Sequence, residues 1–169
     1  MTTSPRIAML SSILTAALLT SCTATAPPVG TQPSTPSQDA LLAYERYWSV
    51  SQEAFSAPSA RDWTADLQGV ASGSALDSLI DDVRNYADFP AHTEGAVTRS
   101  PTVGIATDDR VEIVDCVQLG DSRLIADATG EVLDDLANRA PRYRFRAEVV
   151  LHRDEWLVDR TEPALDELC

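Results

Sequence analysis

The sequence predicts an α+β domain over residues 39–169, with two to three N-terminal helices packed on a curved antiparallel sheet of four to six strands. Two observations carry this expectation. Between residues 39 and 88, apolar side chains recur every three or four positions, the period of a helix that buries one face. After Pro90 the period falls to two and short turns separate the runs, the pattern of strands that pair antiparallel. Helices grouped ahead of such strands segregate to one face of the sheet. The 169-residue length leaves room for one domain, and a chain 44% hydrophobic and 23% charged can bury a core.

Taken in order, residues 39–55 read as an amphipathic helix. Leu41, Tyr44, Trp48, Ser51 and Phe55 lie on one face, Tyr47 beside them, and Ala57-Pro58-Ser59 breaks the helix. A short helix carries Trp63, Leu67 and Val70 on one side. Ser74 and Asp77 have the spacing of a capping box at the start of a third helix with the stripe Leu76, Leu79, Ile80 and Val83, which Pro90 stops. Residues 93–106 are a run of β-formers broken by Gly95 and Pro101. Proline cannot donate to a ladder, so this reads as one edge or bulged strand. Asp108-Asp109 turns into a strand over residues 110–118, in which Val111, Ile113, Asp115 and Val117 share a face. After Leu119-Gly120-Asp121 comes a strand over residues 123–128, then a loop to Pro141 with a helical turn around residues 132–138. Residues 142–152 alternate most clearly: Tyr143, Phe145, Ala147, Val149 and Leu151 face one way, and Arg142, Arg144 and Arg146 the other. Arg153-Asp154-Glu155 closes a hairpin into Trp156-Leu157-Val158-Asp159.

Ahead of the domain, residues 1–21 read as an export signal. One basic residue, Arg6, precedes an apolar run over residues 7–19. A spanning helix needs ~20 apolar residues, whereas a signal core needs ~7–15. Leu19-Thr20-Ser21-Cys22 resembles the bacterial lipobox. It implies cleavage between Ser21 and Cys22, and a diacylglyceryl group on the Cys22 thiol. Residues 22–38 then form a tether. They are rich in Pro, Thr and Ser, nearly devoid of bulky apolar side chains and unable to bury a core. The expected place is the cell membrane, lipid-anchored and facing outside the cytoplasm.

A formal charge of −13 disfavours nucleic acid and electrostatic attachment to anionic lipid, so attachment falls to the covalent lipid. With Cys22 assigned to lipid, Cys116 and Cys169 remain, and in an oxidising compartment a leftover pair joins. Two cysteines and the distant His92 and His152 lack metal-ligand spacing, and neither a metal nor another cofactor is expected.

One family shares this arrangement. The shared features are Asp115-Cys116 in the middle strand, Asp127 with Thr129-Gly130 after the next, Pro141-Arg142 opening the long strand, Trp156-Leu157-Val158 in the hairpin and Cys169 beyond it. With helices ahead of a curved sheet, residues 39–169 resemble exported lipoproteins of high-GC Gram-positive bacteria that carry a nuclear-transport-factor-two-like cone behind a lipobox. The resemblance implies a fold and a place rather than an activity. Such cones hold a pocket between helices and sheet, and the enzymes among them place an acid, a tyrosine or a histidine there.

Candidate pocket residues are therefore Asp115, Tyr44 and Tyr143, with Tyr47 and Tyr86 near inner faces. A buried Asp115 could act as a general base, or could simply bond a turn. The row Arg142, Arg144, Arg146 could receive an anion, but reads more naturally as a solvated face paired with the protein's own acids. The reading is a non-catalytic binding or accessory domain for a small apolar ligand or an envelope protein. The alternatives are an isomerase or dehydratase of cone type and a structural envelope protein. Nothing in the sequence fixes the oligomeric state.

Overall fold

The structure, a computed structural model, describes residues 34–169. The expected signal, the Ser21–Cys22 cleavage pair and most of the tether lie outside the described residues. The first helix, α1, spans Pro36–Ser56. Thr35 caps it: its Oγ1 accepts the Gln38 amide at 3.3 Å, and the Gln38 side chain accepts the Thr35 N–H at 3.0 Å. Pro36 sits in the first turn, where no N–H is required. The helix thus starts three residues before the expected position, inside the segment read as tether, because proline here opens a helix.

The face that α1 buries is Ala40, Ala43, Tyr44, Tyr47, Ser51 and Ala54. The expected Leu41, Trp48 and Phe55 flank it, partly buried. Ala40, Ala43 and Ala54 share that face with the buried Tyr44 and Tyr47, while Trp48 and Phe55 lie beside it. Helix α2 spans Thr64–Gln68 and α3 spans Gly73–Asp88. The Trp63 indole N–H donates to the Ala57 carbonyl at 3.0 Å and fixes the turn between α1 and α2.

The expected Ser74–Asp77 capping box is absent. The cap residue of α3 is Ser72, whose hydroxyl donates to Asp159 Oδ1 at 3.0 Å, while the Ser72 amide donates to the Val158 carbonyl. Gly73, at φ 50°, lets Asp159 lie against the helix start; a Cβ there would stand 2.5 Å from Asp159 Oδ1. A negative group at a helix N-terminus is favourable, so this tertiary carboxylate does the work of a local cap.

Among the described residues six strands form two antiparallel sheets. The larger has the order β2-β3-β5-β6, from Thr102–Ala106, Arg110–Gln118, Arg142–His152 and Glu155–Ala164. The smaller pairs β1, Ala91–Glu94, with β4, Arg123–Ala126. The fold is α+β, as expected, with the helices on one face and the sheets not closed into a barrel. The run over residues 93–106 is two strands in different sheets, not one. Gly95, at φ 80°, allows the close pass over Asp121 that parts them. The edge position holds for β2, which follows Pro101. The loop to Pro141 contains turns at residues 127–129 and 136–138, the second held by the Arg139 amide on the Asp135 carbonyl.

Strand β6 runs past the expected Asp159 to Ala164, and a register shift on β5 falls between Glu148 and Val149. Glu148 pairs with Arg160 and Val149 with Val158, so Asp159 is the extra residue. A bulge re-aims a side chain, and this one turns Asp159 toward α3.

The core lies between helices and sheet. Val111, Ile113, Val117, Val149 and Val158 of the sheet meet Tyr44, Leu67, Leu79 and Val83 of the helices, all buried. On the outer face Cys116 is bonded to Cys169, with Cα atoms 5.7 Å apart across 53 residues of sequence. The tail turns at Ala164, where the Glu167 amide meets the Ala164 carbonyl, and the Arg144 amide donates to the Glu167 carbonyl at 2.9 Å. The tail thus takes over the partner of β5 where β6 stops.

Closing a loop of this length restricts the unfolded chain by ~4 kcal/mol in the chain-entropy account. Cys116→Ser and Cys169→Ser are each expected to lower the unfolding free energy, read from urea unfolding, by a large share of that amount, and the double variant by no more than either single one. Additive losses would show that the two sulfurs act separately.

Candidate functional site

The three residues expected at a pocket divide between two places. Asp115 points inward from β3, as the alternation predicts, and is 1% exposed. Its Oδ2 accepts the Tyr44 hydroxyl at 2.9 Å, and its Oδ1 accepts the Ser100 amide at 2.6 Å. Burial and the adjacent carboxylate push the Tyr44 phenol far above its ordinary range. Arg99, next in sequence to Ser100, lies over the Tyr44 and Trp48 rings at 5.7 and 5.3 Å from their centroids and pairs with Glu45. Asp115 and Tyr44 are thus brought together, but as a lock between α1, β3 and the segment leading into β2. Both carboxylate oxygens are engaged inside the protein, and neither side chain lines the cavity described next.

That cavity, about 370 Å³, lies between α1, α3 and the inner face of the sheet, where the resemblance placed a pocket. Trp48 and Phe55 of α1, Leu79 of α3, Val97, and Tyr143 and Phe145 of β5 make its apolar wall. On α1 it is lined by Tyr47, Trp48, Ser51, Gln52, Phe55 and Ser56, and not by the buried alanines of the helix. Of Asp115, Tyr44 and Tyr143, Tyr143 alone lines it, together with Tyr47, which the sequence places near an inner face. Burial, then the Asp115 charge, raises the Tyr143 phenol.

The polar lining comes mainly from residues the sequence reading left out or used only as markers of a helix face. Ser51 donates to the Tyr47 carbonyl at 2.6 Å. Burial pushes the Tyr47 phenol up to about 12. Thr161 reaches in from β6, and Asp82 stands at the α3 rim. Asp82 is exposed by surface area, yet partial burial against the rim, and then the Asp81 charge, raise its carboxyl above the ordinary value. One signal pointed to these groups. Ser51 is a polar residue on an otherwise apolar stripe, and Asp82 lies three residues after Leu79, beside the buried face of α3.

Two other polar clusters are accounted for locally. His92 of β1 bonds Asp127 at 2.5 Å and Glu94 at 3.3 Å, and these bonds raise its pKa. On the outer sheet face Arg146 meets Glu167 at 2.7 Å and Arg144 meets it at 3.7 Å, while Arg110 and Arg160 flank Glu148. Two of the three arginines in the β5 row are therefore engaged by the protein's own acids. Among the described residues no helix is long and apolar enough to cross a membrane.

No model of a known protein family matches the sequence, and no curated protein is significantly similar to it. Solved structures resemble the fold. The intermembrane space region of the chloroplast protein ARC6 superposes with a TM-score of 0.59 at 15% identity, over 79% of this chain and 99% of that one. The Kfla4162 protein from Kribbella flavida gives 0.44 at 14% identity, over 76% of this chain and 89% of that one. A designed β-sheet protein gives 0.40 at 13%, over 75% and 88%. At these identities the ARC6 likeness establishes a shared fold alone.

If Asp115 and Tyr44 form a structural lock, Tyr44→Phe strands a buried carboxylate oxygen and is expected to cost ~1–3 kcal/mol of stability. Asp115→Asn keeps an acceptor for the Ser100 amide and can donate to the Tyr44 oxygen, so its loss should be smaller. Urea unfolding followed by far-UV circular dichroism measures both. A neutral Tyr44→Phe would show that the bond contributes nothing.

Proposed function

We propose that this domain is a non-catalytic binding module. It takes a small ligand with an apolar body into the cavity between α1, α3 and the sheet. Lipid on Cys22 holds it to a membrane outside the cytoplasm. The observation that carries the binding reading is the cavity itself. Its volume of about 370 Å³ falls in the range of small-molecule sites (~300–1,000 Å³), and its wall is mostly aromatic and aliphatic with a few convergent polar groups.

The same geometry argues against the catalytic alternative. A general base must reach the reacting atom, and Asp115 is turned away with both oxygens engaged. The carboxylate that does reach the cavity, Asp82, stands at an open rim in contact with water. Tyr47, with its phenol pushed up to about 12, stays protonated at neutral pH and serves as a hydrogen-bonding wall.

The anchoring reading rests on Leu19-Thr20-Ser21-Cys22 after the apolar run. Two acyl chains give stable attachment, and a diacylglyceryl group supplies two. Cys22→Ala should leave the chain unprocessed or release it from membranes. A variant that still matures and still sediments with membranes in detergent-free buffer would overturn this part of the proposal.

For the cavity, naphthol, an uncharged fluorescent probe, should bind the full chain saturably and quench tryptophan emission. Ser78 is exposed and lines the mouth. Ser78→Phe should weaken naphthol binding by ~tenfold or more with an unchanged melting temperature, because a ring then occupies space the probe needs. Unchanged binding in that variant would place the probe elsewhere and remove the case for this cavity.

A further inference from the structure

We propose that the natural ligand of this cavity is a cation with an apolar body, an amine or quaternary ammonium compound, whose charge is received at Asp82 and the surrounding aromatic rings. This rests on the binding reading above and names the ligand's charge.

Three features of the cavity point the same way. The first is the sign of its charge. Of the residues lining it, Asp82 is the one carboxylic acid, and no arginine, lysine or histidine is among them. A carboxylate or phosphate ligand would enter without a counter-charge and would meet Asp82. A ligand losing its hydration in a largely apolar space needs a partner for any charge it brings.

The second is the wall. Tyr47, Trp48, Phe55, Tyr143 and Phe145 all line the space. Aromatic faces attract cations at close range, and this attraction suits weakly hydrated organic ammonium groups. Trp48 already takes part in such a contact, with the Arg99 guanidinium 5.3 Å from its ring centroid. That charge is paired with Glu45, so the indole is not left beside an uncompensated positive group.

The third is the setting of Asp82. Partial burial and Asp81 both disfavour its negative charge, and the Tyr47 and Tyr86 phenols, raised first by burial, are raised further by the Asp82 charge. The carboxylate is therefore held among aromatic groups without a cationic partner: none of the ion pairs among the described residues includes it. A bound ammonium group would supply that partner. The chain's charge of −13 also raises the local concentration of cations over anions.

The test uses three probes with one body and three charges: phenylbutylamine, phenylbutanol and phenylbutyrate, titrated by calorimetry into the full chain, its Asp82→Asn variant and its Ser78→Phe variant. The expected order is amine tightest, alcohol next and carboxylate weakest, with the amine at least ~fivefold ahead of the alcohol. Asp82→Asn should remove most of that advantage, and retained binding of the alcohol shows that the variant is folded around its cavity. Added salt should shrink the amine's lead without affecting the alcohol. Equal affinities for amine and alcohol, or an amine affinity indifferent to Asp82→Asn, would overturn the cation assignment while leaving the cavity a binding site. Failure of all three probes, or binding that Ser78→Phe does not weaken, would overturn the cavity reading and this one with it.

Discussion

A carboxylate that is 1% exposed must find donors inside the protein, and Asp115 finds two in different parts of the chain. Tyr44 comes from the middle of α1 and Ser100 from the segment between the two sheets. Much else in the domain is arranged around that pair of bonds. They set how deeply α1 lies against β3, and they hold the chain leading into β2 where the edge strand must begin. Arg99 is brought over Tyr44 and Trp48 by the same segment, and Glu45, one residue beyond Tyr44, neutralises it. A hydrophobic residue at position 115 could fill the volume, but it would not specify which helix turn and which loop residue meet the strand.

That arrangement also governs what the sequence made legible. Fold class, the third helix, strands β3 and β5 and the inward face of Asp115 follow from period alone, because each is a long element with one buried side. What could not be read depends on contacts between distant segments. Thr35 and Pro36 start a helix that composition had assigned to tether. Ser72 is served by Asp159, 87 residues away, so a local capping box was sought in vain. The bulge that puts Asp159 there lengthens β6 and is silent in the alternation. Asp115 was rightly placed inside, yet its partners decide whether it is base or brace, and Ser100 gave no hint. The cavity is lined from α1, α3, β1, β5 and β6, and no local pattern in the sequence shows that these segments enclose a space.

The two faces of the main sheet handle charge differently. Inside, one carboxylate is sealed by two hydrogen bonds, and the residues around it are apolar. Outside, cross-strand arginine–glutamate pairs run over β3, β5, β6 and the tail. Such exposed pairs contribute little stability individually. They do leave a charged surface over a face that would otherwise offer β-branched residues to another sheet. The arginine fork suits this role, since one Glu167 can meet both Arg144 and Arg146.

The bond between Cys116 and Cys169 bears on the register of the sheet. The first cysteine lies in β3, and the second follows the last strand by five residues. In the folded chain they meet across β5, which pairs with β3 on one side and β6 on the other. A one-residue slip in either pairing would turn every side chain of a strand to the opposite face and carry the sulfurs apart. The bond therefore favours this register over a slipped one, as well as bracing the finished fold.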